Sequence, residues 1–274
     1  MNIPYLDLES RHTIKELFSF SGKTILVTAT AGQIGYMSAA GFAELGADVV
    51  ISDLEQTSKV CEEQAKEISK KYGVKCVFIP ADVTKKSEIE HLFNEIRKMF
   101  GKLNAVHSNT GVSFLNDNGE VSLEIWKKTF EINTDGTLLV NQEACKLMRE
   151  SQIKGSIANT TSMSASVINR VSDSFAHEIA YPASKAALLH LTKGLAMEYI
   201  KYGIRVNAVS PGYVYSATHE KSSTEKIRQC IENIPMKRFA RADEITGAVL
   251  YLCSDLSSYV TGSEVLVDGG YSVW

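Results

Sequence analysis

The chain has 274 residues, 44% of them hydrophobic and 22% charged, with a formal net charge of −3. Such a balance can bury one full core, and with no long basic block a nucleic-acid surface is not expected, so the partners are small molecules. The five cysteines (61, 76, 145, 230, 253) contain no C-x-x-C pair, which argues against a disulfide framework or zinc site and for reduced thiols and a cytoplasmic address. Residues 1–20 carry Asp7, Glu9, Arg11, Lys15 and Glu16 instead of a signal-peptide core, and no apolar run approaches the roughly 18 residues of a membrane span. They read as a surface extension. Strands are then predicted at Thr24–Thr28, Asp48–Ser52, Cys76–Pro80, Asn104–His107, Ser156–Thr160, Ile204–Val209 and Glu264–Val267. Helical patterns separate them: Ile89, Leu92, Phe93, Ile96 and Phe100 recur at helix spacing, and Gly101 stops the run. This alternation predicts a doubly wound α/β domain over 21–274 with a seven-stranded parallel sheet. The polar stretch 216–241 is expected to form a helix-loop lid over the sheet edge.

Between the first strand and its helix lies Thr28-Ala29-Thr30-Ala31-Gly32-Gln33-Ile34-Gly35. In a Rossmann-like fold such a turn brings backbone N–H groups, at Gly32, Gln33 and Ile34, against a pyrophosphate. Taken alone the motif reads equally as a structural turn, and Ala29 stands at the first glycine position, tolerable if it keeps negative φ. Asp53 ends the second strand, 18 residues after Gly35, where a carboxylate can accept from a ribose diol and repel a 2′-phosphate. The alternative for Asp53 is a solvated loop acid. Leu54 follows and no arginine adjoins the turn, so NAD is favoured over NADP. Asp82 and Val83 can border an adenine pocket, or Asp82 can serve as a helix cap.

Tyr181 and Lys185 stand four residues apart in Tyr181-Pro182-Ala183-Ser184-Lys185, on one face of a helix that Pro182 helps to start. An ammonium beside a phenol favours the phenolate, drawing its pKa from about 10 toward the working range of a general acid/base. Taken alone, such a pair is an exposed helix contact without chemistry. The histidines 107, 190 and 219 share no metal spacing, and no metal site is expected.

With Asn109-Thr110-Gly111, Asn133, Ser162, the Tyr181 to Lys185 stretch, Pro211-Gly212 and Val267-Asp268-Gly269-Gly270 following the glycine turn in this order, residues 20–274 resemble the short-chain dehydrogenase/reductase family, most closely its polyol and sugar branch. The resemblance implies an NAD(H)-dependent oxidoreductase interconverting a secondary alcohol and a ketone. It implies Tyr181 as proton donor or acceptor, Lys185 as its partner and a ribose ligand, Ser162 as donor to the substrate oxygen, and Asn133 as holder of a relay water. It further implies cofactor contacts at Asn109, Gly111, Pro211, Val214 and Ser216, and a homo-oligomer, dimer or tetramer.

Ala29, Ser108-Asn109-Thr110-Gly111 and Asn104 depart from the family pattern, and the 19 residues from Ser162 to Tyr181 exceed its usual spacing. Val167 to Ile179 is therefore expected to be an enlarged loop beside the substrate. Asn169, Arg170, His177 and Glu178 lie in it and can hydrogen-bond a hydroxylated substrate, although for any one of them a solvated surface loop is the preferred reading. Rival readings are a reductase of 3-oxoacyl or steroid-type carbonyls, a catalytically silent nucleotide-binding protein, and a sugar-nucleotide epimerase, for whose extra domain the chain is too short.

Overall fold

The computed structural model describes residues 12–114, 120–169, 179–216 and 224–274. All seven strands are parallel, in the order β3-β2-β1-β4-β5-β6-β7. They are β1 Thr24–Thr28, β2 Asp48–Ser52, β3 Cys76–Phe78, β4 Ala105–Ser108, β5 Ser156–Thr160, β6 Arg205–Pro211 and β7 Glu264–Val267. The order reverses between β1 and β4, and the crevice beyond the carboxyl ends of strands at such a switch point is where these sheets bind ligands.

Three strands differ at their ends from the sequence reading. β3 stops at Phe78 because Pro80 has no N–H to donate, although Ile79 N still reaches Ile51 O at 3.0 Å. β4 starts after Asn104, whose side-chain Oδ1 accepts from Thr24 N at 2.9 Å while its own N–H donates to Thr24 O at 2.8 Å. The two bonds clamp Asn104 to the start of β1. β6 begins one residue later than predicted and continues to Pro211, which pairs with Val267 at the strand end.

The helices are α1 Ile14–Leu17, α2 Gln33–Glu44, α3 Ser58–Tyr72, α4 Lys86–Phe100, α5 Leu123–Phe130, α6 Gly136–Glu150, α7 Ala180–Tyr199, α8 Thr224–Glu232 and α9 Ala242–Cys253. Successive strand residues face opposite sides of a sheet. Accordingly Ile25, Val27, Val49 and Ile51 pack with α2, α3 and α9, whereas Leu26, Val50, Val106 and Ile157 pack with α4, α6 and α7. The result is a single three-layer domain whose sheet is apolar on both faces, as the near-continuous hydrophobic strand runs require.

The predicted extension 1–20 is partly core. Residues 1–11 lie outside the described residues, but Phe20 is fully buried and meets the Phe42 ring edge-on at 5.0 Å. Of the predicted lid, α8 covers a small third cluster of Met163, Cys230, Ile234, Phe239 and Tyr271; residues 217–223 lie outside the described residues.

Candidate active site

A cleft of about 940 Å³ opens at the carboxyl ends of the strands and is lined by Ala29, Gly32, Asp53, Asn109, Ser162, Tyr181 and Lys185 among others. The predicted Gln33, Ile34, Asp82, Val83, Gly111, Pro211, Val214 and Ser216 line it as well. Asn133 does not line it but stands directly behind.

The glycine turn feeds α2, whose N-cap Gly32 offers no side-chain cap, so the first N–H groups of a 12-residue helix face the cleft unpaired by a side chain. That is a ready anion site. Gly35 fixes the turn: a Cβ there would lie 2.3 Å from Ala29 O, so only glycine lets the helix pack this closely on the turn. One expectation fails here. Ala29 has φ of 55°, the left-handed region and not the negative φ under which it was to be tolerated, because its carbonyl must turn toward Gly35 and Asn109. The Asn109 amide lies 3.5 Å from that carbonyl. A left-handed alanine costs roughly 1–2 kcal/mol, held by the surrounding turn.

Asp53 ends β2, and its two carboxylate oxygens accept from Ala31 N at 2.9 Å and Leu54 N at 2.7 Å. A carboxylate has about four lone-pair sites, so half its accepting capacity stays available to the cleft. Asp82 closes a turn and does not cap α4, whose N-cap Lys85 has no side-chain cap bond; partial burial would raise its carboxyl, but the bonds its Oδ1 accepts from Thr84 N at 3.0 Å and Thr84 Oγ1 at 2.8 Å, with the nearby Lys85, hold it below the usual range. It borders the cleft while shaping the approach to α4.

Asn109 is fixed on three sides. Its N–H donates to Thr28 Oγ1 at 3.0 Å, and its Oδ1 accepts from Thr160 Oγ1 at 2.9 Å. Thr160 Oγ1 also lies 2.8 Å from His107 Nε2. Since Thr160 gives its only hydrogen to Asn109, His107 must carry its own on Nε2. Burial pushes this imidazole down to about 3, so it stays neutral. His190 is exposed and His219 lies outside the described residues.

Tyr181 is the second residue of α7 and Lys185 lies one turn on. The Lys185 ammonium is fully buried, donates to Thr160 O at 2.9 Å, and stands 5.7 Å from the Tyr181 ring centroid. Gly111 makes room for it, since a Cβ there would sit 2.6 Å from Nζ. Asn133 occupies a wide π-helical turn, Glu131–Asp135, joining α5 to α6, a local form often found at functional sites. Its Oδ1 accepts from Val112 N at 2.8 Å, and its Nδ2 donates to Val112 O and Ser184 Oγ, both at 2.9 Å. The side chain thus clamps the loop after β4 to α7, and both amide hydrogens are taken by protein partners. Ser184 Oγ passes the connection on to Tyr181 O at 2.8 Å.

Burial pushes the Lys185 amine down from 10.5 to about 8. The unfolded chain keeps an ordinary value near 10.4, so between pH 8 and 10.5 the unfolded state binds more protons and stability should rise with pH. Below pH 8 both states are protonated and the folded state carries the whole desolvation cost. Lys185→Met is therefore expected to gain up to about 3 kcal/mol over wild type at pH 7, an advantage that shrinks toward pH 10.5. Urea unfolding of both proteins at pH 7 and 10 checks this; an advantage independent of pH would contradict it.

Ser162 caps a short turn with its Oγ and lines the cleft beside Met163 and Ser164. Val214 forms an isolated parallel bridge with Ala240, made by Ala240 N to Tyr213 O and Tyr215 N to Ala240 O, each 2.9 Å. Its own N–H and C=O take no part in that bridge. Sequence reasoning missed Thr160, whose contribution is a backbone carbonyl that no side-chain pattern announces, and Tyr213. Asn169, for which a substrate contact and a solvated loop were both open, lines the cleft; Arg170, His177 and Glu178 lie outside the described residues. No group of metal-ligating side chains occurs among the described residues, and none of their helices is long and apolar enough to cross a membrane.

A glycine-turn crevice with a strand-end acid, opening onto a tyrosine, lysine and serine, defines a dinucleotide-dependent oxidoreductase site. A family model described as "Enoyl-(Acyl carrier protein) reductase" matches residues 28–272. The sorbose reductase of Candida albicans is 34% identical over 262 residues, 94% of this chain and 90% of that protein. The NADP-dependent mannitol dehydrogenase of Alternaria alternata is 35% identical over 262 residues, covering 95% and 96%. A crystal structure of a short-chain type dehydrogenase/reductase from Mycobacterium marinum superposes with a TM-score of 0.86 at 33% identity, covering 96% of this chain and all of that one. The chain belongs to the short-chain dehydrogenase/reductase family. It is an oxidoreductase of CH–OH groups, interconverting alcohol and ketone with a nicotinamide cofactor.

Proposed function

We propose that this chain oxidises a secondary alcohol of a polyol or sugar to the ketone, and reduces it back, with NAD(H). The observation that carries the reading is the meeting of Asp53, Tyr181, Lys185 and Ser162 in one cleft. The free N–H groups at the start of α2 suit a pyrophosphate, and the remaining acceptor sites of Asp53 suit an unphosphorylated ribose. Val214 offers its unbridged backbone groups to the nicotinamide amide. A bound nicotinamide supplies the hydride acceptor. Tyr181 takes the hydroxyl proton as phenolate, which the buried Lys185 ammonium favours. Ser162 gives a hydrogen bond to the reacting oxygen. Asn133 positions Val112 and Ser184 through its amide, and its Oδ1, which accepts one bond, keeps a lone pair with which it would hold a relay water.

Sugar and polyol chemistry is supported by the relatives' names, sorbose reductase and mannitol dehydrogenase. The latter is named NADP-dependent, so cofactor choice rests on Asp53. Initial rates with NAD and NADP across polyols, ketoses and hydroxysteroids test the reading. Asp53→Ala is expected to cut the NAD over NADP preference by roughly 10-fold, the worth of one charge-assisted hydrogen bond; an unchanged ratio would remove Asp53 from ribose recognition. The homo-oligomer is likewise proposed, supported by exposed Leu266, Val273 and Trp274 on and near edge strand β7. Light scattering reporting a monomer at micromolar concentration would end that proposal.

A further inference from the structure

The cleft wall beyond Ser162 carries a directional line of hydrogen bonds that proton transfer does not use. Ser162 Oγ accepts from Ser164 N at 3.1 Å and donates to Ser164 Oγ at 3.1 Å. Ser164 Oγ donates to Asn169 Oδ1 at 2.9 Å. Asn169 is left with its amide donors, and it bonds the Tyr213 hydroxyl, which is also bonded to Tyr271. Ser162, Ser164, Asn169 and Tyr213 all line the cleft that holds Tyr181, and the two serines are 7% and 4% exposed.

The direction of this line has a chemical consequence. A serine hydroxyl has one hydrogen, and Ser164 commits its own to Asn169, so toward Ser162 it can only accept. Ser162 in turn spends its hydrogen on the wall, not on the place where a reacting oxygen would sit. To serve a substrate it must release Ser164, leaving a buried acceptor without a donor. A hydroxyl on the carbon next to the reacting one repairs this loss. Oxygens on adjacent carbons lie about a hydrogen-bond length apart, much like the two serine oxygens. One substrate oxygen can then take the hydrogen of Ser162 while its neighbour gives one to Ser164, and no bond is lost. An isolated alcohol leaves Ser164 with its bond to Asn169 and no donor of its own.

Resting on the alcohol–ketone reading above, we propose that Ser164, oriented by Asn169, is the specificity-determining acceptor for a hydroxyl adjacent to the reacting carbon. The site accordingly takes vicinal diols and α-hydroxyketones in preference to isolated secondary alcohols and ketones. Tyr213 and Tyr271 back the line from behind by fixing the Asn169 amide.

The test compares kcat/KM for 2,3-butanediol and 2-butanol in wild type, Ser164→Ala and Asn169→Ala. Wild type is expected to favour the diol by roughly 10- to 100-fold, the cost of one unpaired buried acceptor. Ser164→Ala should bring the ratio to about one, through a fall for the diol and a rise for 2-butanol, because Ser162 is then released without help. Asn169→Ala should lower the ratio by a different route: the freed Ser164 hydrogen can turn to Ser162, so a second substrate hydroxyl is no longer needed. NADH binding measured by fluorescence verifies that each variant is folded. A wild-type ratio near one, or a ratio in folded Ser164→Ala equal to wild type, overturns the inference and leaves the alcohol–ketone reading standing. Failure to turn over any polyol with either cofactor overturns that reading, and the inference with it.

Discussion

Tyr181→Phe is expected to lower kcat by at least 10²-fold and up to about 10⁴-fold, the range general acid–base catalysis supplies. NADH affinity should stay close to wild type. The change deletes one oxygen from the second residue of α7, where the ring remains beside the Lys185 ammonium at 5.7 Å. The lysine keeps its bond to Thr160 O, so the backbone around the cofactor crevice has no cause to move. With no phenol to accept the hydroxyl proton, the alcohol cannot lose it in step with its carbinol hydrogen. Steady-state rates with saturating polyol, beside a fluorescence titration with NADH, separate chemistry from binding. A loss below tenfold would remove Tyr181 from proton transfer.

The second large effect is expected from Gly35→Ala. Its Cβ would meet Ala29 O at 2.3 Å, and Ala29 C and Thr30 Cα each at 2.9 Å. All three are backbone atoms, so no rotamer change relieves the clash. The turn has little slack, because Ala29 already sits at φ 55°. The helix must therefore move away from the turn, carrying its exposed N–H groups out of register with an anion. Overpacking of this kind costs about 1–3 kcal/mol of stability, and dinucleotide affinity should fall by at least roughly tenfold. Urea unfolding and NADH titration read the two effects independently. Unaltered binding would mean that the α2 terminus does not hold the pyrophosphate.

The sheet was legible because fully buried parallel strands are written as short apolar runs, and all seven runs became strands with boundary errors of one or two residues at Cys76–Phe78, Ala105–Ser108 and Arg205–Pro211. Tyr181, Lys185 and Ser162 were legible as candidates because their side-chain types suit the proposed chemistry and the helix period sets two of them on one face. Backbone was harder to read. The left-handed Ala29 follows from where its carbonyl must point, and the Thr160 carbonyl that holds Lys185 could have belonged to any residue type. Asn169 stayed open between its two readings for a related reason: loop polarity fits a solvated surface and an enclosed hydrogen-bonded wall equally.

The wide turn at Glu131–Asp135 has an effect reaching beyond the residue it displays. Every extra residue in a helix swings the next stretch of chain by about 100° around the axis. Ahead of the turn, α5 buries only Thr129; past it, α6 buries Val140, Ala144, Cys145, Leu147 and Met148 against the sheet. A single rod thereby serves two incompatible compass bearings, one toward the reaction chamber and one toward the hydrophobic interior, without a break in the chain between them. The insertion works as a rotary joint cast into the scaffold, and shortening this segment by one residue would force the protein to choose which bearing to keep.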